Sequence, residues 1–112
     1  MRVLVADDMQ DARDLFAFAF ALEGFDTCTA RNGAEAVDAV RESLKPFDVI
    51  VLDIEMPQMD GWQALKAIRQ LPQCQQIPIV MFTAYDRYVG DRAVQEGANP
   101  GQSHWSAGKS LR

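Results

Sequence analysis

Cysteine is scarce in this chain. Cys28 and Cys74 are its two cysteines, and they match no metal-ligand spacing. Two thiols in a chain of this size do not build a disulfide framework, so both read as ordinary thiols of a reducing compartment. Basic residues are also short. Eleven Lys and Arg stand against sixteen Asp and Glu, a net charge of −5. Binding to nucleic acid or to an anionic membrane surface needs a basic face, so the balance argues against both as direct partners. No apolar stretch approaches the length of a membrane span. Met1-Arg2 leads straight into Val3-Leu4-Val5, which is too short for a secretory apolar region. These absences lead to the expectation of a cytoplasmic protein. Sequence repeats, linkers and low-complexity segments are missing too, and 112 residues suit one domain.

What the chain does have is apolar residues, 48% of the total, arranged in short runs. Val49-Ile-Val-Leu ends in Asp53, and the chain then turns through Pro57 and Gly61. A short unbroken apolar run bounded by turn residues reads as a strand buried on both faces, the parallel-sheet type. Arg2 to Ala6 reads the same way and ends in Asp7-Asp8, either of which could also cap the next helix. Further strands are expected at 25–30 and 77–82, the last ending in Thr83-Ala84. Between them the spacing predicts helices. Residues 9–23 alternate large and small, a strand-like period. Their length, their alanines and a closing Gly24 favour helix instead, with Leu15, Phe18 and Leu22 on one face and Phe16 and Phe20 beside it. A helix over 34–44 would carry the stripe Val37, Val40, Leu44. Helices are also expected over 61–71, with Leu65 and Ile68 inward and Pro72 as stop, and over 86–96.

Four strand–helix units in alternation predict an α/β fold, a parallel sheet with helices on both faces and right-handed crossovers. In such a sheet all strand C-termini lie along one edge, where ligands bind. That edge would gather Asp7, Asp8, Asp53 and Thr83. Carboxylates brought that close repel one another, and a divalent cation relieves the repulsion. An all-oxygen ligand set favours Mg²⁺ or a similar hard ion. A bound Mg²⁺ could then neutralise the oxygens of a transferring phosphoryl group while a carboxylate acts as nucleophile. The plainer readings are a strand-end turn for Asp53, helix caps for Asp7-Asp8 and an ordinary strand hydroxyl for Thr83. Met56 and Met59 read as packing, and Trp62 as a helix-surface or core residue.

At this point the residues match a family. Asp7-Asp8, Asp53-x-x-Met56-Pro57-x-Met59-Asp60-Gly61, Thr83-Ala84 and Gly97-Ala98 resemble the receiver domain of two-component response regulators, in order and at the expected spacings over residues 1–98. The resemblance implies a flavodoxin-like doubly wound sheet with strand order 2-1-3-4, followed by a fifth strand. It implies Asp53 as phosphoacceptor, served by a histidine kinase, a phosphotransfer protein or a small phosphodonor. Mg²⁺ would be held by Asp8 and Asp53 side chains and the Glu55 backbone carbonyl, with Asp7 supporting it through water. Thr83 would bind the phosphoryl oxygens. Activity as an enzyme is not implied beyond self-catalysed transfer and loss of the phosphoryl group at Asp53. Output would pass to a downstream effector protein.

The chain departs from the family after Gly97-Ala98. The slot for the family's aromatic falls on Gly101, that for its lysine on His104 and that for its proline on Trp105, while Lys109 comes five residues late. Residues 99–112 read as an atypical or disordered tail in place of the usual last strand and helix. A missing last helix would uncover a sheet face and free a strand edge, which favours a homo-oligomer. Two competing functions share these features. One is a pseudo-receiver that works by binding partners. The other is an aspartyl-nucleophile phosphatase with Glu55 as the second acid, which would lack space for a substrate pocket. Flavin binding is disfavoured, because no Ser/Thr/Gly-rich loop follows the first strand.

Overall fold

The computed structural model describes residues 1–82. The expected helix over 86–96, the fifth strand and the tail 99–112 lie outside these residues. The described chain runs β1 (Arg2–Ala6), α1 (Gln10–Leu22), β2 (Asp26–Ala30), α2 (Gly33–Glu42), β3 (Val49–Asp53), α3 (Gly61–Arg69), a single 3₁₀ turn (Pro72–Cys74) and β4 (Ile79–Phe82). All strand pairs are parallel and the sheet order is β2-β1-β3-β4. This is the doubly wound order that the family resemblance implies.

Alternation along the strands divides the core into two layers. Val3, Val5, Val51 and Phe82 face α1 and pack with Phe16. Leu4, Ala6, Ile50, Leu52, Ile79 and Met81 face the other way, toward the Val37–Val40 and Leu65–Ile68 stripes of α2 and α3. Both faces of β1 and β3 are therefore covered. Those strands read as unbroken apolar runs for that reason.

Helix α1 buries a different stripe from the one the sequence suggested. Phe16 is buried and Phe20 half-buried, whereas Leu15, Phe18 and Leu22 are exposed, Phe18 to 65%. The cause lies at the helix end. Gly24 takes φ +85°, Gly24 N–H donates to Ala21 O at 3.0 Å and Phe25 N–H donates to Phe20 O at 3.0 Å, a Schellman cap. That cap sets the Phe25 ring edge-on against Phe20 at 5.5 Å, while Phe16 stacks with Phe20 at 6.1 Å and meets Phe82 at 5.2 Å. Small valines on the sheet leave room for this aromatic row. Neither Asp7 nor Asp8 caps α1. Met9 occupies the cap position and offers no side-chain bond.

Helix α2 begins where Asn32 caps it, accepting Glu35 N–H at 2.8 Å, but it ends at Glu42. Leu44 is fully exposed, against the expectation of a Val37–Val40–Leu44 stripe. Pro46 drives the residues before it out of helical geometry, and Phe47 enters the core in place of Leu44. Helix α3 opens with a capping box that the sequence reading did not use. Gln63 N–H donates to Asp60 Oδ1 at 2.9 Å, and Asp60 N–H donates to Gln63 Oε1 at 3.0 Å.

Candidate functional site

The site forms where β1 and β3 end side by side. Ala6 stands opposite Leu52 in register, so Asp7 and Asp53 lie level on neighbouring strands. Both are fully buried, while Asp8 is exposed. One carboxylate oxygen from each of Asp7, Asp8 and Asp53 falls within a cluster no wider than 4.8 Å. At that separation and an effective dielectric near 20, each ionised pair repels by roughly 3 kcal/mol. Two of these groups are held out of water as well, which adds a desolvation cost.

Local backbone bonds fix the buried pair. Asp7 N–H donates to Ala30 O at 3.1 Å, which ties the end of β1 to the end of β2. Asp7 Oδ1 accepts Met9 N–H at 2.9 Å, and Asp7 O accepts the Arg13 guanidinium at 2.8 Å. Asp53 Oδ1 accepts Glu55 N–H at 3.2 Å. The carboxylates are thus oriented by amides two residues on, a use of aspartate that its position at a strand end permits.

Above the buried pair opens a shallow cleft of about 740 Å³, lined by Asp8, Glu55, Asp60, Met56, Pro57 and Trp62 among others. Met56 and Trp62 also pack into the core, each 8% exposed. Trp62 therefore belongs to both the core and the cleft wall. Phe82 stands opposite Asp53 in register and is the last residue of β4. Thr83, His104 and Lys109 lie outside the described residues. The structure brings Asp7, Asp8 and Asp53 together and sets Glu55 on the cleft wall.

Glycine is required at one point beside the acids. A Cβ on Gly61 would meet Asp53 O and come within 2.8 Å of Ile54 Cα. Gly61 N–H donates to Ile54 O at 2.9 Å, so the loop 54–60 closes tightly on the end of β3. In the sequence Gly61 reads as a turn residue, and the structure shows close approach to be its reason. Gln58, at φ +68°, was not singled out by the sequence. Glutamine carries no signature for a left-handed backbone position.

The donor set suits a hard divalent cation. It consists of carboxylate oxygens alone, two buried and one exposed, with open volume above them. A 2-1-3-4 parallel sheet with an acidic cluster at its carboxyl edge defines a doubly wound α/β protein, and in such sheets that edge is where ligands bind. The particular family follows from comparison. The response regulator receiver domain matches residues 3–100, and the chain belongs to that family.

Relatives agree. The chain is 40% identical over 84 residues to the regulatory protein AtoC of Escherichia coli (strain K12), covering 75% of this chain and 17% of AtoC. It is 28% identical over 95 residues to the polar-differentiation response regulator DivK of Brucella anthropi, covering 85% of this chain and 76% of DivK. Among solved structures, chemotaxis response regulator CheY4 of Vibrio cholerae superposes with TM-score 0.84 at 28% identity, covering 99% of this chain and 88% of CheY4. A CheX–CheY–BeF3–Mg²⁺ complex from Borrelia burgdorferi gives TM-score 0.85 at 27% identity, covering 100% of this chain and 80% of that one. The chain spans 17% of AtoC and 38% of the CpxR homolog of Haemophilus influenzae. Among the described residues, no helix is long and apolar enough to cross a membrane.

Proposed function

We propose that this receiver domain accepts a phosphoryl group on Asp53, with Mg²⁺ held by the Asp8 and Asp53 carboxylates and the Glu55 backbone carbonyl, and with Asp7 supporting the ion through water. The observation that carries the reading is the three-carboxylate cluster, two members buried, at the ends of adjacent parallel strands. Bound Mg²⁺ supplies charge neutralisation for the phosphoryl oxygens and for the acids themselves. The chain's own residues do the rest. Asp53 offers its carboxylate oxygen as nucleophile, and the Glu55 amide on Asp53 Oδ1 sets its orientation. Gly61 lets the loop 54–60 close directly on the Asp53 backbone carbonyl. Thr83, next after the residue opposite Asp53, serves as the phosphoryl-binding hydroxyl.

Residues 1–98 form the receiver core in this reading, and 99–112 form a separate tail. The donor is a histidine kinase, a phosphotransfer protein or a small phosphodonor, and the output is a downstream effector protein. A cytoplasmic setting fits the two free thiols. The CheX–CheY–BeF3–Mg²⁺ complex supports the ion and the partner class by likeness, at 27% identity. The test is Mg²⁺-dependent labelling by a small phosphodonor. Wild type takes up label. Asp53→Asn takes up none, and label that persists in Asp53→Asn would place the acceptor elsewhere.

A second reading rests on one sequence observation. The family's lysine slot is filled by His104, and Lys109 is displaced by five residues. A lysine there would pair with the phosphoryl group as a point charge, whereas histidine does so only when protonated. In this reading the pocket persists and function lies in partner binding. Absence of any response to Mg²⁺ or beryllofluoride in Trp62 fluorescence, with Trp105 substituted, would favour it.

A further inference from the structure

The loop that carries Glu55 is held at its two ends by different elements. At its start, Ile54 N–H donates to Phe82 O at 2.9 Å, and Ile54 O accepts Gly61 N–H at 2.9 Å. At its far end the holder is helix α2. Gly33 N–H donates to Met59 O at 2.9 Å. Gly33 is the first residue of α2 and is buried. Its backbone is not in the left-handed region, so conformational freedom is not why glycine stands there. Space is the reason. A Cβ at position 33 would meet the Met59 carbonyl oxygen and come within 2.8 Å of Met59 Cγ.

Met59 also closes the strained part of the loop. Met59 N–H donates to Pro57 O at 2.8 Å across Gln58, whose φ is +68°. A three-residue turn of this hand is strained for a residue with a side chain, and such strain persists only where the surroundings impose it. The amide of Gly33, fixed on the very next residue, imposes it here. Glu55 and Met56 lie between the two anchor points, on the wall of the acidic cleft.

We propose that Gly33 is a positioning residue for the acidic pocket: the first amide of α2 anchors Met59, holds the strained turn at Gln58 and so fixes Glu55 where a divalent cation shared with Asp8 and Asp53 needs its carbonyl. This rests on the cation site proposed above. The consequence is selective. Mg²⁺ demands near-ideal octahedral geometry with short bonds, whereas Ca²⁺ accepts flexible geometry and longer bonds. A displaced loop therefore penalises Mg²⁺ much more than Ca²⁺. Loss of fold stability alone would not separate the two ions.

The experiment titrates MgCl2 and CaCl2 separately against the full chain and follows Trp62 fluorescence in a Trp105→Phe background. In Gly33→Ala, half-saturation by Mg²⁺ is expected to weaken at least tenfold, the scale seen when supporting residues of metal sites are changed. Half-saturation by Ca²⁺ is expected to move by less than about threefold, since that ion tolerates the displacement. Gln58→Gly relaxes the same turn without crowding α2, and it should shift the ratio in the same direction by less. If Gly33→Ala does not fold, Gln58→Gly decides. An unchanged Mg²⁺ half-saturation in Gly33→Ala, or an equal loss for both ions, overturns the proposal. Loss of binding in Asp8→Asn and Asp53→Asn shows that the cation site stands whatever Gly33 does. A wild type that binds neither ion overturns the site and the proposal together.

Discussion

The two edges of the sheet are built to opposite plans. At the N-terminal edge, cations are spent on carbonyls and rings. The Arg2 guanidinium lies 4.4 Å over the Phe47 ring and donates to Lys45 O at 2.6 Å and to Ser43 Oγ at 2.8 Å. Its backbone N–H donates to Asp48 Oδ2 at 2.7 Å. Arg69 donates to Cys74 O at 2.9 Å and to Ile77 O at 2.7 Å. At the C-terminal edge three carboxylates crowd within 4.8 Å. One edge satisfies its polar groups locally and reads as stability. The other gathers three carboxylates beside an open cleft, with Arg13 held on the Asp7 carbonyl, and reads as a site. The same strands carry both, so position along a strand decides whether a polar residue holds the fold or serves the chemistry.

The sharpest way to break that comparison is to change one residue at each edge and add Mg²⁺. A ligand that binds only the folded state stabilises by RT ln(1 + [L]/Kd), about 2.7 kcal/mol at a hundredfold excess over Kd. Wild type should show this as a rise in Tm with added Mg²⁺, and Asp53→Asn should lose most of the rise. Arg2→Ala should behave in the opposite way. Its Tm starts lower by roughly 10 °C, from about 2 kcal/mol of lost hydrogen bonds and cation–π contact, and the Mg²⁺-dependent rise remains. A calorimetric series in which Arg2→Ala abolishes the Mg²⁺ effect would show that the edges are not independent.

A second comparison concerns the two sides of α1. Phe16→Ala removes a ring that touches Phe20 and Phe82 and should destabilise by about 3–5 kcal/mol. Phe18→Ala removes an exposed ring and should change stability by less than about 0.5 kcal/mol. Chemical denaturation of the two variants checks the order. A large loss from Phe18→Ala would mean that its face is covered in solution by another surface.

That pair also marks where the sequence stops being legible. β1 and β3 could be read because burial on both faces leaves an unbroken apolar run, and the acids after them inherit their place from the strands. Helix α1 offers two apolar stripes of similar quality, and residues elsewhere, Phe25 and Phe82, decide between them. Leu44 continues the period of α2, yet the chain turns out before it because Pro46 follows. The link from Gly33 to Met59 joins residues distant in sequence, and a glycine chosen for close approach looks like any turn glycine until the neighbour is seen. Asp7, Asp8, Asp53 and Gly61 were legible as a local pattern. Gly33 and Gln58 were not, since their roles depend on tertiary contact.

A weaker effect tests the N-terminal edge by pH. Burial pushes the Cys74 thiol up from its usual range, with Arg69 opposing. Because the folded value is raised, the neutral thiol's contribution is fully present below the unfolded pKa of about 8.5 and is lost as pH rises through the folded value. Wild type should therefore lose stability above pH ~8.5 more steeply than Cys74→Ala, measured as Tm against pH. Parallel curves would show that the thiol is not held out of water at this edge.

The smallest expected effect lies at the C-terminal edge but outside the cleft. Arg31, just past β2, donates to Glu35 Oε2 at 2.8 Å from Nη2 and at 3.1 Å from Nε, while Glu35 Oε1 accepts Arg31 N–H at 2.9 Å. The Arg31 side-chain bonds, then its backbone bond, hold the Glu35 carboxyl below the usual range. The folded value being lowered, the pair's contribution is present above the unfolded pKa of about 4.3 and is lost as pH falls through the folded value. Both groups face solvent, so screening keeps the effect slight. Tm measured from pH 6 down to pH 3 should fall slightly more in wild type than in Glu35→Gln at low salt, and the difference should vanish near 1 M salt. A difference that survives high salt would mean that the pair is coupled to the buried acids through α2, whose first turn carries both Glu35 and Gly33, and that the stabilising and functional parts of this edge are joined.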